Sequence, residues 1–234
     1  MGLAGKALIA IWNDIAPEMR EDFFEWHPRE HMVERLGITG FLRGRRCVAV
    51  QAQAQVQVQQ EFLTLYELTD TEVLTSEIYK HRLTHPTPWS TRTLPAFRNN
   101  VRGACRVHFS EGYAMGGFIQ TLRLSAGAEP GDSAALMARL RKELLPGLIE
   151  RPRITGVHLV QNDVSLTAGN AGNQRGRMIT LPDIVVLVEG STADGVRAVC
   201  AESSSAERLR SLGAAGEIHS GLYQLEYSIQ NLAS

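Results

Sequence analysis

The chain has 234 residues, 44% hydrophobic and 21% charged, and its 24 Lys and Arg against 25 Asp and Glu leave a formal net charge of -1. That composition describes a globular chain with enough core to fold without disulfide or metal staples. Balanced charge with no dense basic tract excludes a phosphate-backbone binder, so nucleic acid is not an expected partner. Cys47, Cys105 and Cys200 are scattered and form neither a disulfide framework nor a CxxC site, which suits a reducing cytoplasm. The apolar stretch Ala7–Ile11 is too short for a signal peptide, and no stretch approaches the roughly 20 apolar residues of a membrane span. Length alone leaves one large domain or two small ones open.

In chain order, KALIAIWND (6–14) reads as a strand, Pro17 to Leu36 as a helix, and ITGFLRGRRCVAV (38–50) and EFLTLYEL (61–68) as strands. A helix follows from Thr71, and ACRVHF (104–109) is a strand. From Gly117 the order recurs: strand GFIQTLRLS (117–125), helix SAALMARLRKELLPGLIER (133–151), strands ITGVHLVQNDVSL (154–166) and ITLPDIVVLVEG (179–190), a helix over Ala193–Leu212, and strand GLYQLEYSI (221–229). Both second strands begin Ile-Thr-Gly, at Ile38–Gly40 and Ile154–Gly156. This β-α-β-β-α-β order is the ferredoxin-like unit, here twice. It predicts an α+β protein whose two antiparallel sheets, from residues 1–112 and 113–234, pack within one chain as dimers of such units usually do. QAQAQVQVQQ (51–60) and TAGNAGNQRGR (167–177) occupy the same connection in each half and predict a protruding hairpin and a Gly/Asn-rich loop.

Chemistry-bearing residues concentrate early: all three tryptophans and five of the seven histidines precede residue 110. In FFEWHPREHMVER (23–35), His27 and His31 are four apart, as are Glu30 and Glu34, so they lie on neighbouring helical rows. Met19, Phe23, Trp26 and Val33 define the stripe expected to face the sheet, with Glu30 close beside it; burial there would raise its carboxyl toward the general-base range. Pro28 predicts a kink. On the second strand Phe41, Arg43, Arg45 and Cys47 share one face by alternation, and Leu42, Gly44, Arg46 and Val48 the other. Asn13, Asp14, Arg43, Tyr66 and Glu67 interrupt otherwise apolar strand faces, the composition expected of a small-molecule pocket between helix and sheet. The alternative is that Arg43 to Arg46 lie on a rim and pair with Glu30 or Glu34. His27 to His31 also spell HxxEH, the zinc signature of inverted zincins. A proline inside the motif and the lack of a third ligand leave no metal expected. Cys47 reads as a small buried hydrophobe.

WNDI (12–15), FFEWHPREHMVERLGITGFLRGRR (23–46), FLTLYEL (62–68) and TPWS (87–90) together resemble bacterial proteins of the dimeric α/β-barrel superfamily, with EthD-like relatives. The resemblance spans about residues 6–110 and is architectural only over 115–234. It implies a range of activities, among them cofactor-free oxygenation of aromatic polyketides, lactone isomerisation, haem chemistry and stress responses, and no single reaction. It also implies that Trp26, His27, Glu30, His31 and Arg35 form a helix signature with Asn13, Arg43 and Tyr66 facing it. The helix at 133–151 has no His or Trp, so one site per chain is expected, with the second half as its cover. No haem-ligand pattern is evident. The expectation is a cytoplasmic small-molecule enzyme working without a tightly bound cofactor. His27 or His31 would act as acid/base near an ordinary imidazole pKa of about 6.5, Glu30 would orient it, and Asn13, Trp26, Arg43 and Tyr66 would bind substrate or a developing anion. The alternative is a non-catalytic ligand-binding or stress-associated protein whose His/Glu cluster is structural. Association into a homodimer through outer faces stays open.

Overall fold

Strands β1 (Ala7–Ile15), β2 (Phe41–Ala49), β3 (Phe62–Leu68) and β4 (Phe97–Gly112) hydrogen-bond in the order β4-β1-β3-β2. β5 (Phe118–Ser125), β6 (Ile154–Asn162), β7 (Ile184–Gly190) and β8 (Ala215–Gln230) follow the same order as β8-β5-β7-β6. The structure is a computed structural model that describes residues 2–50, 60–168 and 182–231. The predicted hairpin and Gly/Asn-rich loop lie almost entirely outside the described residues.

The two sheets do more than pack. They join at both edges, β2 to β8 and β4 to β6, into one closed antiparallel barrel. Closure depends on β4 and β8, each 16 residues long, where the sequence reads only 104–109 and 221–229 as strand. β4 pairs β1 through Phe97–Arg106 and β6 through Cys105–Gly112. β8 pairs β5 through Ala215–Gln224 and β2 through Tyr223–Gln230. Each last strand therefore serves its own half first and the other half second, and no edge is left to template aggregation.

Period-two alternation divides the side chains between a barrel interior and two outer faces. Leu8, Ala10, Leu63, Leu65, Ile119, Val160, Val185 and Leu187 fill the interior. The first half's outer face lies under α1 (Arg20–Trp26), α2 (Met32–Leu36), α3 (Glu77–Thr84) and α4 (Pro88–Thr93). The second half's lies under α5 (Asp132–Arg139), α7 (Ala193–Ser203) and α8 (Ala206–Ser211), while the short α6 (Val164–Ala168) leans on β4. Among the described residues no helix is long and apolar enough to cross a membrane.

A β-bulge corrects the predicted faces of β2. The register slips between Phe41 and Arg43. One extra residue reverses the alternation, so Phe41 stays under the helices with Met32 and Leu36 while Arg43, Arg45 and Cys47 turn into the barrel. Arg43 therefore does not face the helix signature: its Nε and Nη2 donate to Glu67 at 2.8 and 2.7 Å. Nor does it or Arg45 lie on a rim with Glu30 or Glu34. Arg45, fully buried, bridges Glu67 at 3.1 Å and Glu189 on β7 at 2.7 Å. His158 lies 3.4 Å from Glu189 and hydrogen-bonds Ser110 at 2.9 Å. The backbone N–H groups of Ala4 and Gly116 donate to Glu67 and Glu189. Both acids occupy the same register, opposite Leu8 on β1 and opposite Ile119 on β5, so one buried guanidinium ties together equivalent points of the two halves.

The shared Ile-Thr-Gly is not the true correspondence. Ile38–Gly40 precedes β2, with Gly40 at φ 94°, whereas Ile154–Gly156 lies within β6. In register with the two glutamates, Arg43 matches Gly156 and Phe41 matches Ile154, with a bulge at the same point.

Candidate functional site

The helix signature folds as one helical segment with an irregular centre. α1 runs into a single π turn, His27–His31, and then into α2, with the Met32 N–H bonded to the His27 carbonyl. Pro28 cannot donate to the preceding turn, and the wider turn accommodates that missing bond. A π turn also occurs at Leu140–Leu144, which has no proline, so the feature belongs to the fold and not to Pro28 alone. It changes the phase of the helix. Val33, expected on the buried stripe, is 51% exposed, while Met32 is buried against Gly44, where an added Cβ would sit 2.8 Å from the Met32 sulfur.

Beneath the helix the strands present a cross-strand row: Arg102 on β4, Ile11 on β1, Thr64 on β3, Arg46 on β2 and Tyr227 on β8, with Tyr66 two residues along β3. His27 is buried and its Nδ1 shares a 2.5 Å hydrogen bond with Tyr227 Oη. His31 stacks on Trp26 at 4.4 Å and lies 5.6 Å from the His27 ring. Arg46 is enclosed by Phe23, Phe24, Phe62 and Tyr227, its guanidinium carbon 4.7 to 5.4 Å from their ring centres, and its Nε donates to Glu226 at 2.6 Å. Asn13 is buried on the same side beside Phe62, its Nδ2 donating to the Asp14 carbonyl at 3.3 Å.

Glu30 takes another part than the one expected. Its Oε1 accepts from Trp26 Nε1 at 3.1 Å, Thr87 Oγ1 at 2.5 Å and Ser90 Oγ at 3.4 Å. It is turned toward α4 and makes no hydrogen bond to an imidazole, so it bears on His31 only by fixing the indole on which that ring stacks. Trp89 of the TPWS segment donates to Asp22 at 3.0 Å, which fastens α4 to α1.

Burial, and then the neighbouring Arg46 charge, hold His27 well below the ordinary imidazole pKa; His31 is lowered likewise by burial, Arg35 and His27. Both rings are therefore neutral near pH 7, not poised at about 6.5 as expected from sequence. Burial pushes the Tyr66 and Tyr227 phenols up, so both keep their protons. Cys47 is pushed to about 12 by burial and is no nucleophile. The histidines have a consequence for stability. Below about pH 6.5 the unfolded chain binds protons that the native rings refuse, so stability falls with acid by up to about 1.4 kcal/mol per pH unit for each ring. Urea unfolding between pH 5 and 7.5 should show this slope, and His27→Gln with His31→Gln should flatten it.

Several polar atoms in this gap are buried without a hydrogen-bond partner among the described residues: His31 Nδ1, Arg35 Nη1, Arg46 Nη1, Tyr66 Oη and Arg102 Nη1. Native structures rarely leave such groups unsatisfied, since each costs about 1–3 kcal/mol. The second half supplies a comparison within the same chain. Its equivalent row is Ser220, Leu122, Val186, Leu159 and Phe109, and Val188 stands where Tyr66 stands. At the matching π turn the helix places Leu136, Leu140 and Leu144 over the sheet, all buried in the apolar core. The helix–sheet layer is thus aliphatic in the second half, Ser220 aside, and in the first carries buried polar atoms without a hydrogen-bond partner among the described residues. A separate cavity of about 470 Å³ on the second half has its arginines engaged, Arg151 by Glu202 and Arg208 by Glu143.

The structure brings Trp26, His27, His31, Tyr66 and Asn13 to one side of the sheet and takes Arg43 to the other. Arg46, Arg102 and Tyr227 are the residues that sequence reasoning missed. Arg46 was visible only once the bulge was known, and Tyr227 only once β8 was known to cross onto β2.

No protein-family model and no curated protein matches the chain. Solved structures do. One is an anthrone oxidase-like protein, 12% identical over 99% of this chain and 96% of that one, with a TM-score of 0.65. Another is a provisionally assigned monooxygenase from Lactobacillus acidophilus, 8% identical over 97% of both chains, TM-score 0.57. A third is a heme-binding protein from Thermus thermophilus, 11% identical over 96% of this chain and 92% of that one, TM-score 0.53. At these identities the likeness is one of fold.

Proposed function

We propose, for a chain that has the dimeric α/β-barrel fold, that the helix–sheet gap of the first half is the reaction site of a small-molecule enzyme using acid/base chemistry, of an isomerase or cofactor-free oxygenase kind. The observation that carries this reading is the cluster of buried, unpartnered polar atoms, of which those of His31, Arg46 and Tyr66 stand where the second half has Leu144, Leu159 and Val188. Neutral His31 takes a proton from an acidic C–H or O–H of an aromatic or keto substrate lying against Trp26, and the enolate or phenolate so formed rests beside the Arg46 guanidinium. His27, held by Tyr227, fixes the geometry of the pair. Returning the proton to another atom of the anion gives isomerisation; addition of dioxygen at the deprotonated carbon of a CH2 group, with the proton passing from His31 to the terminal oxygen, gives a hydroperoxide that loses water to leave a carbonyl. The names of the anthrone oxidase-like and monooxygenase neighbours are consistent with such substrates. The site is one per chain and draws on both halves, since Tyr227 and Glu226 come from residues 113–234.

The non-catalytic alternative, a ligand-binding protein, shares the site and lacks only turnover. A thermal-shift screen of aromatic phenols, keto acids and lactones tests the shared part. Stabilising ligands are expected for the wild type and should lose their effect in His31→Leu. Equal stabilisation of both proteins would place the ligand elsewhere.

A further inference from the structure

We infer that the α3 end of this gap is a carboxylate-anchoring subsite, built by Arg35, Arg102 and Tyr66 around Tyr79. The inference rests on the proposed site and adds the charge class of its ligand. Arg35 of α2 lies with its guanidinium carbon 5.9 Å from the Tyr79 ring centre, and Arg102 of β4 donates from Nη2 to Tyr79 Oη at 3.0 Å. One tyrosine thus positions two cations that come from opposite walls. Each arginine keeps a buried Nη1 without an acceptor, and Tyr66 Oη, on a residue 2% exposed, is unpartnered between the strands below.

Neither arginine has an ion-pair partner among the described residues, in a protein where Arg20, Arg43, Arg45, Arg46, Arg82, Arg92, Arg106, Arg151 and others are all answered by carboxylates. The segments outside the described residues contain no Asp or Glu that could answer them. A buried guanidinium N–H is costly until an acceptor completes it. Two guanidinium edges, which only donate, and a phenol O–H form a donor-rich set, which matches a carboxylate better than a ligand that must donate. Tyr79 packs on Phe41 with ring centres 5.9 Å apart, and Ile9 and Ala104 pair across the strands beside Tyr66. The anion therefore sits against an apolar, partly aromatic wall and not in open water. At the other end of the gap lie His31, Trp26 and Arg46, so a carboxylate anchored here leaves the remainder of a planar molecule directed toward the imidazole.

Calorimetric titration with benzoate, and with benzamide as its neutral isostere, tests this on the full-length protein. Wild type should bind benzoate at least tenfold more tightly than benzamide. Arg35→Gln and Arg102→Gln should each lose most of that preference. Tyr66→Phe removes only the hydroxyl and should reduce the preference without lowering the melting temperature, which separates lost recognition from lost folding. Equal affinity for the two probes, a preference untouched by the arginine substitutions, or no binding of either probe overturns the subsite. A neutral ligand that binds wild type and is lost in His31→Leu would leave the proposed site standing while the subsite fails.

Discussion

Replacing Arg45 with Met should lower stability by about 3–5 kcal/mol, because it strands carboxylates in the barrel interior. For a chain of this size that is a fall of roughly 6–20 °C in melting temperature. Arg45 is fully buried and is the only cation that touches both Glu67 and Glu189 among the described residues. Glu67 would keep Arg43, but Glu189 would keep only His158 and the Gly116 N–H. Burial opposes ionisation of Glu189, yet Arg45, His158 and the Gly116 N–H outweigh it and hold its carboxyl well below the usual carboxylate range. The sign follows from that. As pH falls below about 4.5, the unfolded chain takes up a proton that native Glu189 refuses, so this contribution is present at neutral pH and is lost with acid. Combining Arg45→Met with Glu189→Gln should recover part of the loss and weaken the acid dependence. Thermal melts from pH 3.5 to 7 report both effects, and an Arg45→Met protein as stable as wild type would show that the network carries no such weight.

His31→Ala should lower kcat/KM on any turned-over substrate by about 10²- to 10⁴-fold, the usual worth of a positioned proton-transfer group. Because burial holds both imidazoles neutral, the wild-type kcat/KM profile should be flat from pH 6 to 8, with no limb at the ordinary histidine value. Kinetics across that range check both statements. A limb near 6.5, or an alanine variant of full activity, would remove His31 from the chemistry. Tyr227→Phe should have a smaller effect and should act through the orientation of His27.

Much of the fold was legible because strand and helix periodicity is local. The order of the eight strands, the two ferredoxin-like runs and the early placement of Trp and His all follow from patterns a few residues long. What the sequence could not supply was phase. One bulge between Phe41 and Arg43 exchanged the faces of β2, so Arg46 stands where Arg43 was expected. One π turn rotated the helix, which exposed Val33 and turned Glu30 toward α4. Both are single-residue irregularities with no strong residue signature, since the second half has the same π turn without a proline. The crossing of β8 onto β2 is a long-range event, and it alone brings Tyr227 to His27, 200 residues away. The Ile-Thr-Gly repeat, by contrast, was legible and uninformative, because the structural register lies three residues from it in the first half.

On the proposed function, the layer between helix and sheet in the first half is kept polar for a ligand, where the fold itself is satisfied by leucine. His31→Leu, which installs the residue found at the matching position 144, tests it most directly when melting temperature is measured with and without the stabilising ligands. The expected result is a protein at least as stable as wild type that no longer responds to them. A variant several kcal/mol less stable whose ligand response is intact would show that His31 belongs to the core and that the site lies elsewhere.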